Sequence, residues 1–296
     1  NRRTRFGSIH QCISCGLNLV HPLPEVAQVS VHYDLPKYYT HGTSHIPEVV
    51  PTFLNRAITH LAWRTDRGIG FDPSEVRGSN GSRSKVLDIG CGSGNLLQRF
   101  ADLGMETYGV DPDNTARLEA EKKGHLAYPG TAEALPSELA GKKFDVVTMT
   151  HVLEHCLSPY RALENARTLL AEDGVFYCEV PNAGSTYFQT YGQISEMLDV
   201  PRHLYFFRKK DLEVLAKAVG LEITEWKFHG LTRHFSASWK SWENSIFEQL
   251  SDAGVKTVCG RRSAIADLML LTTGIFQSRE SRYDCIGFTA RAKQSS

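Results

Sequence analysis

The sequence predicts a doubly wound α/β fold, and three features of one stretch support this prediction. Residues 85–111 contain an apolar strand, a glycine-rich turn and a helix, followed by a second apolar strand that ends in Asp111. Glycine permits a sharp bend, and the first N–H groups of the next helix face any ligand that approaches the bend. In an open α/β sheet this edge of the strands is the usual ligand site.

Composition limits the classes of protein to consider. The chain has 296 residues, which favours one large domain with additions, and its net charge is zero, which argues against nucleic-acid binding. No apolar run approaches the roughly 20 residues of a membrane span, and no secretory signal is visible. The seven scattered cysteines are typical of a reducing compartment, so we expect a cytoplasmic protein without a nucleic-acid or membrane partner.

The other elements follow from apolar periodicity and from Gly and Pro punctuation. We predict further strands at residues 125–130, 144–149, 175–180, 221–228 and 285–290, and helices at 47–65, 113–123, 159–170 and 209–219. The first of these helices is expected to cover the ligand cleft. The stretch at 182–203 is predicted to be a long loop that contributes to an acceptor pocket, because long loops in compact domains are usually functional.

The glycine turn also restricts the ligand. Gly90, Gly92 and Gly94 give G-x-G-x-G, which differs from phosphate-gripping loops and from the dinucleotide fingerprint. Asp88, just before them, would repel a pyrophosphate but suits an ammonium or sulfonium group. Asp111 can accept hydrogen bonds from two ribose hydroxyls. A nucleoside with a cationic tail therefore fits better than a dinucleotide, and an NAD(P)-dependent oxidoreductase is the alternative.

These motifs resemble those of class I S-adenosylmethionine-dependent methyltransferases. DIGCGSG and GVDPD are similar to the first two motifs of that family, and GTAEALP, FDVVTMTHVLEH and EDGVFYCEVPN resemble the later ones, over residues 84–229. The resemblance implies a seven-stranded Rossmann-like sheet with an antiparallel last strand. It also implies S-adenosylmethionine as the cofactor, and an oxygen or carbon nucleophile on a small metabolite such as a sugar, polyketide or quinone-like acceptor. A methyltransferase-like protein that binds the cofactor without catalysis is a further alternative.

The resemblance also assigns roles to individual residues around the cofactor. Ala132 and Glu133 correspond to a position that meets the adenine ring, and Thr150 and His151 would line the methionine end. Tyr39 lies where tyrosines of this family often close over the cofactor, although an aromatic linker packed on the domain explains it equally well.

The HVLEH stretch has two further interpretations. As H-x-x-E-H it matches an inverted zinc-protease motif, in which His151 and His155 would bind one metal. Its place at the tip of a strand indicates that this match is a coincidence. Ubiquinone-type O-methyltransferases have a similar stretch, so Glu154 and His155 are candidates for contact with a substrate or a divalent metal.

Two histidines are candidate bases. His203 lies in RHLYFF, which resembles the E-H-x-x-Y-F segment of sugar C-methyltransferases with Arg202 in place of the glutamate. In that family the histidine is a candidate base, and an imidazole can accept a proton near neutral pH. His155 is the second candidate. A hydrogen-bonded loop anchor is the alternative role for His203.

The two ends of the chain carry additional features. Cys12 and Cys15 form a C-x-x-C-G knuckle of the kind that holds a structural zinc, for which His10 and His21 are candidate further ligands; two free thiols are the alternative. We assign residues 1–46 to an N-terminal segment, 47–230 with 282–296 to the methyltransferase domain, and 231–281 to a helical insert. The insert is expected to shape the acceptor site or a homodimer contact.

Overall fold

The computed structural model of the chain describes residues 8–25, 46–76 and 84–293. Within these residues the strands form a three-stranded and a seven-stranded sheet. The strands are β1 (Ser8–Gln11), β2 (Asn18–His21), β3 (Lys85–Ile89), β4 (Glu106–Asp111), β5 (Leu126–Pro129), β6 (Phe144–Thr150), β7 (Leu170–Pro181), β8 (Tyr205–Phe206), β9 (Leu221–His229) and β10 (Cys285–Ala292).

Nine α-helices accompany these strands in the described part of the chain. They are α1 (Phe53–Thr65), α2 (Asn95–Asp102), α3 (Asn114–Lys122), α4 (Pro159–Leu169), α5 (Thr186–Tyr191), α6 (Lys209–Ala218), α7 (Ala237–Asp252), α8 (Ala264–Gly274) and α9 (Arg279–Arg282). None of these helices combines the length and the apolar composition that a membrane span requires.

The large sheet confirms the predicted fold. Its strand order is β5-β4-β3-β6-β7-β10-β9, with β5, β4, β3, β6 and β7 parallel and β10 antiparallel to both of its neighbours. The central strands are apolar on both faces because helices cover both sides of a parallel sheet, and Val86, Leu87 and Ile89 are completely buried. The C-terminal ends of the parallel strands meet at one edge, where the glycine turn lies.

The three-stranded sheet was not predicted. A hairpin of β1 and β2 carries Cys12 and Cys15 in its turn, and β2 pairs antiparallel with β8. Arg208 also donates a hydrogen bond to the carbonyl oxygen of Gly16 in this turn. These contacts attach the N-terminal segment to the end of the long connection after β7. Tyr39 lies outside the described residues.

Two predicted elements differ from the structure. The helix predicted at 47–65 begins only at Phe53, where Thr52 caps it by accepting a hydrogen bond from the N–H of Asn55. It packs against α8 and the turn Thr232–Phe235 of the insert, and not over the cavity described below. The stretch predicted as a loop at 182–203 contains α5, because Ser185 supplies an N-cap to the N–H of Phe188.

A buried ionic network joins the insert to α5. The guanidinium of Arg262, which is completely buried, lies 2.7 Å from Glu243 on α7 and 2.6 Å from Asp267 on α8. It also donates a hydrogen bond of 2.9 Å to the Tyr187 hydroxyl on α5. One guanidinium therefore contacts two buried carboxylates and joins three helices, and Lys240 on α7 adds a second cation to Asp267 at 3.1 Å.

Arg262→Met should destabilise the protein by about 3–5 kcal/mol, because it leaves the buried carboxylate of Glu243 without its cation and takes from Asp267 the nearer of its two cations, the other being Lys240. The neighbouring Arg261→Met is the matched control, since Arg261 pairs with Glu248 at the surface, where both side chains are more than half exposed. Urea unfolding followed by circular dichroism measures both variants. Equal losses of stability in the two variants would contradict the assigned role of the network.

Candidate functional site

The glycine turn between β3 and α2 forms the floor of the site. Gly90, Gly92 and Gly94 all have positive φ angles, of 79°, 51° and 76°. At Gly90 the requirement is also steric, because a Cβ atom there would lie 2.2 Å from Val152 Cγ2. Gly94 begins α2 as its N-cap in the left-handed region. Only glycine combines these angles with such a close approach of the neighbouring segment.

A cavity of about 510 Å³ opens beside this turn. It lies at the C-terminal ends of β3, β6, β7 and β9, which is the edge where an open α/β sheet places its ligand. The residues that line it are Gly70, Phe71, Asp88, Gly90, Cys91, Gly92, Ser93, Asn95, Leu96, Arg99, Thr150, Tyr177, Glu179 and His229. Four predicted cofactor residues thus come together here, namely Asp88, Gly90, Gly92 and Thr150.

Asp88 is a buried carboxylate at the cavity. Its Oδ1 accepts a hydrogen bond of 2.7 Å from the Thr148 hydroxyl, and only 3% of the residue is exposed. Burial raises the pKa of Asp88 to about 7, with a further contribution from the nearby charge of Asp111. An ionised Asp88 is therefore costly unless a cationic group approaches it, and such a cation would be stabilised in return.

Asp111 lies at the end of β4 and supports the turn. Its Oδ2 accepts a hydrogen bond of 2.9 Å from the N–H of Gly92, and its Oδ1 accepts one of 2.8 Å from the N–H of Asp113. Burial raises the pKa of Asp111, although these two bonds act in the opposite direction. A carboxylate has about four acceptor positions, so two remain for ligand hydroxyls.

Ala132 and Glu133 lie in the connection after β5. The carboxylate of Glu133 accepts hydrogen bonds of 3.2 and 2.7 Å from the N–H groups of Leu157 and Ser158. The carbonyl of Ala132 accepts one of 2.8 Å from the Asn165 amide. Both residues are thus engaged with α4 and the segment just before it, and an adenine contact for them stays a prediction.

Thr150 ends strand β6, and His151 follows it. The hydroxyl of Thr150 is buried and has no hydrogen-bond partner among the described residues, although Thr150 lines the cavity. His151 has a φ of 55° and lies between Glu154 and Glu179, at 3.4 and 3.3 Å. Burial alone would lower the pKa of His151, but Cys285 and the two glutamates raise it well above its ordinary value.

Glu154, His155 and His203 form a second cluster, in which one ligand atom of each lies within 4.8 Å of the others. Glu154 is 1% exposed, and neither of its carboxylate oxygens has a hydrogen-bond partner in the described part of the chain. His155 Nδ1 bonds to the carbonyl of Arg202 and His203 Nδ1 to that of Met197, both at 2.9 Å. Burial and the adjacent His203 lower the pKa of His155 to about 4.

This cluster can hold a divalent metal. Metal-ligating histidines characteristically donate their other ring N–H to a carbonyl or a carboxylate, as both rings do here. His151 does not belong to the cluster, so the two histidines of the H-x-x-E-H pattern do not share a site among the described residues. His151, Glu179 and Cys285 also lie within 4.8 Å of one another, but Arg233 donates to Cys285 Sγ and disfavours a second cation there.

Neither candidate base lines the main cavity. The rings of His155 and His203 contact each other edge to face at 4.7 Å, and His203 is 7% exposed. Sequence reasoning missed Glu179, His229 and Tyr177, which do line it. The one available signal was a glutamate in the otherwise apolar strand before Pro181, because a buried strand rarely contains an unpaired carboxylate.

The predicted zinc knuckle is only partly assembled in the described residues. Cys12 and Cys15 lie in the hairpin turn, where backbone hydrogen bonds from Cys15 and Ser14 lower the pKa of the Cys12 thiol. No third His, Cys, Asp or Glu of the described residues completes a metal group with them. The rings of His10 and His21 contact each other at 5.0 Å. Zinc at this turn stays a prediction.

Comparison with known proteins places this site in a family. Residues 50–225 match the family model described as a methyltransferase domain. A ubiquinone biosynthesis O-methyltransferase of Paraburkholderia phymatum is 34% identical over 170 residues, which are 52% of this chain and 72% of that protein. One of Cereibacter sphaeroides is 42% identical over 104 residues, but these span only 33% of this chain and 41% of the relative.

Among solved structures, the CcbJ methyltransferase from Streptomyces caelestis is 16% identical with a TM-score of 0.47, and the match covers 90% of this chain and 96% of that one. A SAM-dependent methyltransferase from Archaeoglobus fulgidus is 20% identical with a TM-score of 0.47, covering 71% and 86%.

Asp88→Asn should stabilise the protein increasingly as the pH rises. The raised pKa of Asp88 means that the folded state keeps a proton that the unfolded state has lost, so wild-type stability falls between about pH 4 and pH 7. The neutral variant escapes this penalty, and its advantage should grow by about 2–3 kcal/mol from pH 5 to pH 8. Urea unfolding at both pH values measures the difference. Asp102→Asn, which removes an exposed carboxylate, is the control, and an advantage that grows equally in both variants would contradict the assignment.

Proposed function

The chain belongs to the class I S-adenosylmethionine-dependent methyltransferase family, and we propose that it transfers the methyl group of this cofactor to an oxygen nucleophile on a small metabolite. The observation that carries the proposal is the buried Asp88 beside the glycine turn, at a cavity on the ligand edge of the sheet. Both ends of a cationic methionine tail, its ammonium and its sulfonium, suit such a carboxylate. A pyrophosphate does not, which disfavours a nicotinamide cofactor.

The proposed cofactor position follows the strand ends. Asp111 would accept the ribose hydroxyls, and Ala132 with Glu133 would border the adenine. Gly90, Asp88 and Thr150 would surround the methionine end, where the unpaired Thr150 hydroxyl can bond a polar group. Methyl transfer is a direct displacement at carbon, so holding donor and acceptor in line supplies much of the rate enhancement.

The oxygen nucleophile is favoured over carbon by two observations. The two relatives reported above are named as O-methyltransferases. The sugar C-methyltransferase segment departs from its pattern at Arg202, which here forms a buried ion pair with Asp199. A carbon acceptor remains the second candidate.

The domain division stays part of the proposal. The hairpin at the N-terminus and the insert at 231–281 would flank one methyltransferase domain. Apolar side chains on the outer faces of α1 and α8 are exposed, with Phe53 at 89%, Ile265 at 72% and Met269 at 64%. We propose this surface as a homodimer contact that the insert forms together with α1, which size-exclusion chromatography with light scattering can test.

The second cluster fits a metal. A buried carboxylate with two unbonded oxygens beside two oriented imidazoles is a donor set for zinc or a similar first-row ion. Glu154, His155 and His203 would hold it, and a bound ion would supply a Lewis acid at this cluster. The two histidines would then serve as ligands and not as bases.

The purified protein should retain about one equivalent of zinc after dialysis against the ion, and Glu154→Gln should weaken binding by at least about 10-fold, since it removes the charged ligand. Metal analysis and competition with a chromogenic chelator measure this. Glu172→Gln, at an exposed carboxylate, is the control and should bind as the wild type does. Stoichiometric zinc in Glu154→Gln at unchanged affinity would refute the cluster.

S-adenosylhomocysteine should stabilise the wild-type protein in a thermal-shift assay, and NAD should not. Gly90→Ala should abolish this shift, because its Cβ would collide with Val152 and displace the glycine turn that lines the cavity. Gly104→Ala is the matched control, since Gly104 also has a positive φ, of 84°, but no atom within 4 Å of its Cβ position.

Transfer itself is tested with labelled S-adenosylmethionine and two hydroxylated probes, catechol and 3,4-dihydroxybenzoate. Stabilisation by NAD alone would overturn the proposal.

A further inference from the structure

Strand register brings Glu179 and His229 together at the cavity. Strand β10 lies between β7 and β9, and its residue Cys285 pairs with Pro181 on one side and with His229 on the other. Glu179 precedes Pro181 by two residues and pairs with Gly287. Because Gly287 has no side chain, the hydroxyl of Tyr177 fits beside it; a Cβ there would lie 2.5 Å from this oxygen.

Glu179 is the centre of a hydrogen-bonded group. Its Oε2 accepts a bond of 2.8 Å from His229 Nε2 and a further bond from the Tyr177 hydroxyl, while His151 Nε2 lies 3.3 Å from Oε1. Glu179 is 6% exposed, whereas the His229 side chain is 32% exposed. Both residues line the cavity, but the carboxylate is fixed by its hydrogen bonds while the imidazole is the more exposed of the two.

The ionisation of Glu179 determines which nitrogen of His229 carries the proton. Burial alone would raise the pKa of Glu179, but His151 and His229 hold it well below its ordinary value. An ionised carboxylate can only accept hydrogen bonds, so Nε2 of His229 must be the donor. In the neutral ring Nδ1 then carries a lone pair, and no described residue hydrogen-bonds to it.

The position of His229 matches the reacting end of the proposed cofactor. Among the described residues that line the cavity, His229 is the one imidazole, and it shares this cavity with Asp88, Gly90 and Thr150. His155 and His203 have neither a free Nδ1 lone pair nor a place at the cavity. Their Nδ1 atoms are bound to backbone carbonyls, and neither residue lines the cavity.

We propose that His229 is the general base of the methyl transfer and that Glu179 is the residue that positions it. This inference rests on the proposed function and specifies the acceptor as a group with an ionisable O–H. The acceptor oxygen forms its bond to the methyl carbon while the carbon–sulfur bond breaks, and that electron pair stays on sulfur as the thioether. The hydroxyl proton moves to His229 Nδ1, and Glu179 stabilises the imidazolium through Nε2–H.

The first experiment needs no acceptor. Diethyl pyrocarbonate acylates imidazole nitrogens that have an accessible lone pair, and peptide mapping by mass spectrometry follows each histidine. His229 should be acylated, and saturating S-adenosylhomocysteine should slow this reaction at least about 10-fold. The exposed His60 on α1 is the internal control, and its rate should not change. An unreactive His229, or one that the bound thioether does not protect, would overturn the proposal.

The second experiment measures transfer from labelled S-adenosylmethionine to catechol. His229→Ala should lower kcat about 100-fold or more, as loss of a general base does, and added imidazole should restore part of the rate. Glu179→Gln should lower kcat with little change in KM, because it acts through His229. His60→Ala should behave as the wild type does.

Calorimetry with S-adenosylhomocysteine separates the possible failures. His229→Ala should bind this ligand within about threefold of the wild type, which also shows that the variant is folded. A wild-type protein that binds no S-adenosylhomocysteine would overturn both the proposed function and this inference. Binding together with full transfer activity in His229→Ala would overturn the inference alone. If catechol is not methylated, the acylation result decides, since unprotected His229 excludes a base at the reacting atoms.

Discussion

The burial of four carboxylates along one edge of the parallel sheet is the constraint on which the site depends. Asp88, Asp111, Glu154 and Glu179 are each less than a tenth exposed, and they lie near or just beyond the C-terminal ends of strands β3, β4, β6 and β7. Each burial is costly unless hydrogen bonds or cations compensate it. The four side chains are compensated by different means, and those differences indicate a different role for each.

Backbone N–H groups compensate Asp111 and so fix the glycine turn, while histidines compensate Glu179. Asp88 has only one hydroxyl donor, from Thr148, and its pKa is raised to about 7. Glu154 has no hydrogen bond within the described residues. Burial would raise the pKa of Glu154, but the three neighbouring histidines lower it. Asp88 is therefore the least compensated of the four carboxylates, and a cationic ligand would complete it.

The remainder of the chain keeps this edge covered. Segment 66–76 brings Phe71 onto the ring of Tyr177, with ring centroids 4.1 Å apart, and Tyr177 in turn donates to Glu179. Arg262 holds α5, α7 and α8 together, and in the same region Tyr187 stacks on His234, which bonds to Asp284 beside Cys285. The insert is thus coupled through β10 to the residues around Glu179.

The sequence by itself determined the order of the strands of the large sheet and of the helices between the parallel ones, the glycine turn, and the places of Asp88 and Asp111 beside it. These depend on local features, namely apolar periodicity, glycine spacing and the family motifs, which are readable within about 30 residues. Only the tertiary structure decided which histidine faces the cavity. His229 and Glu179 are 50 residues apart and meet because β10, the last strand, inserts between β7 and β9. His155 and His203 had the stronger local motif, but their Nδ1 atoms are directed to backbone carbonyls by contacts that no linear pattern records.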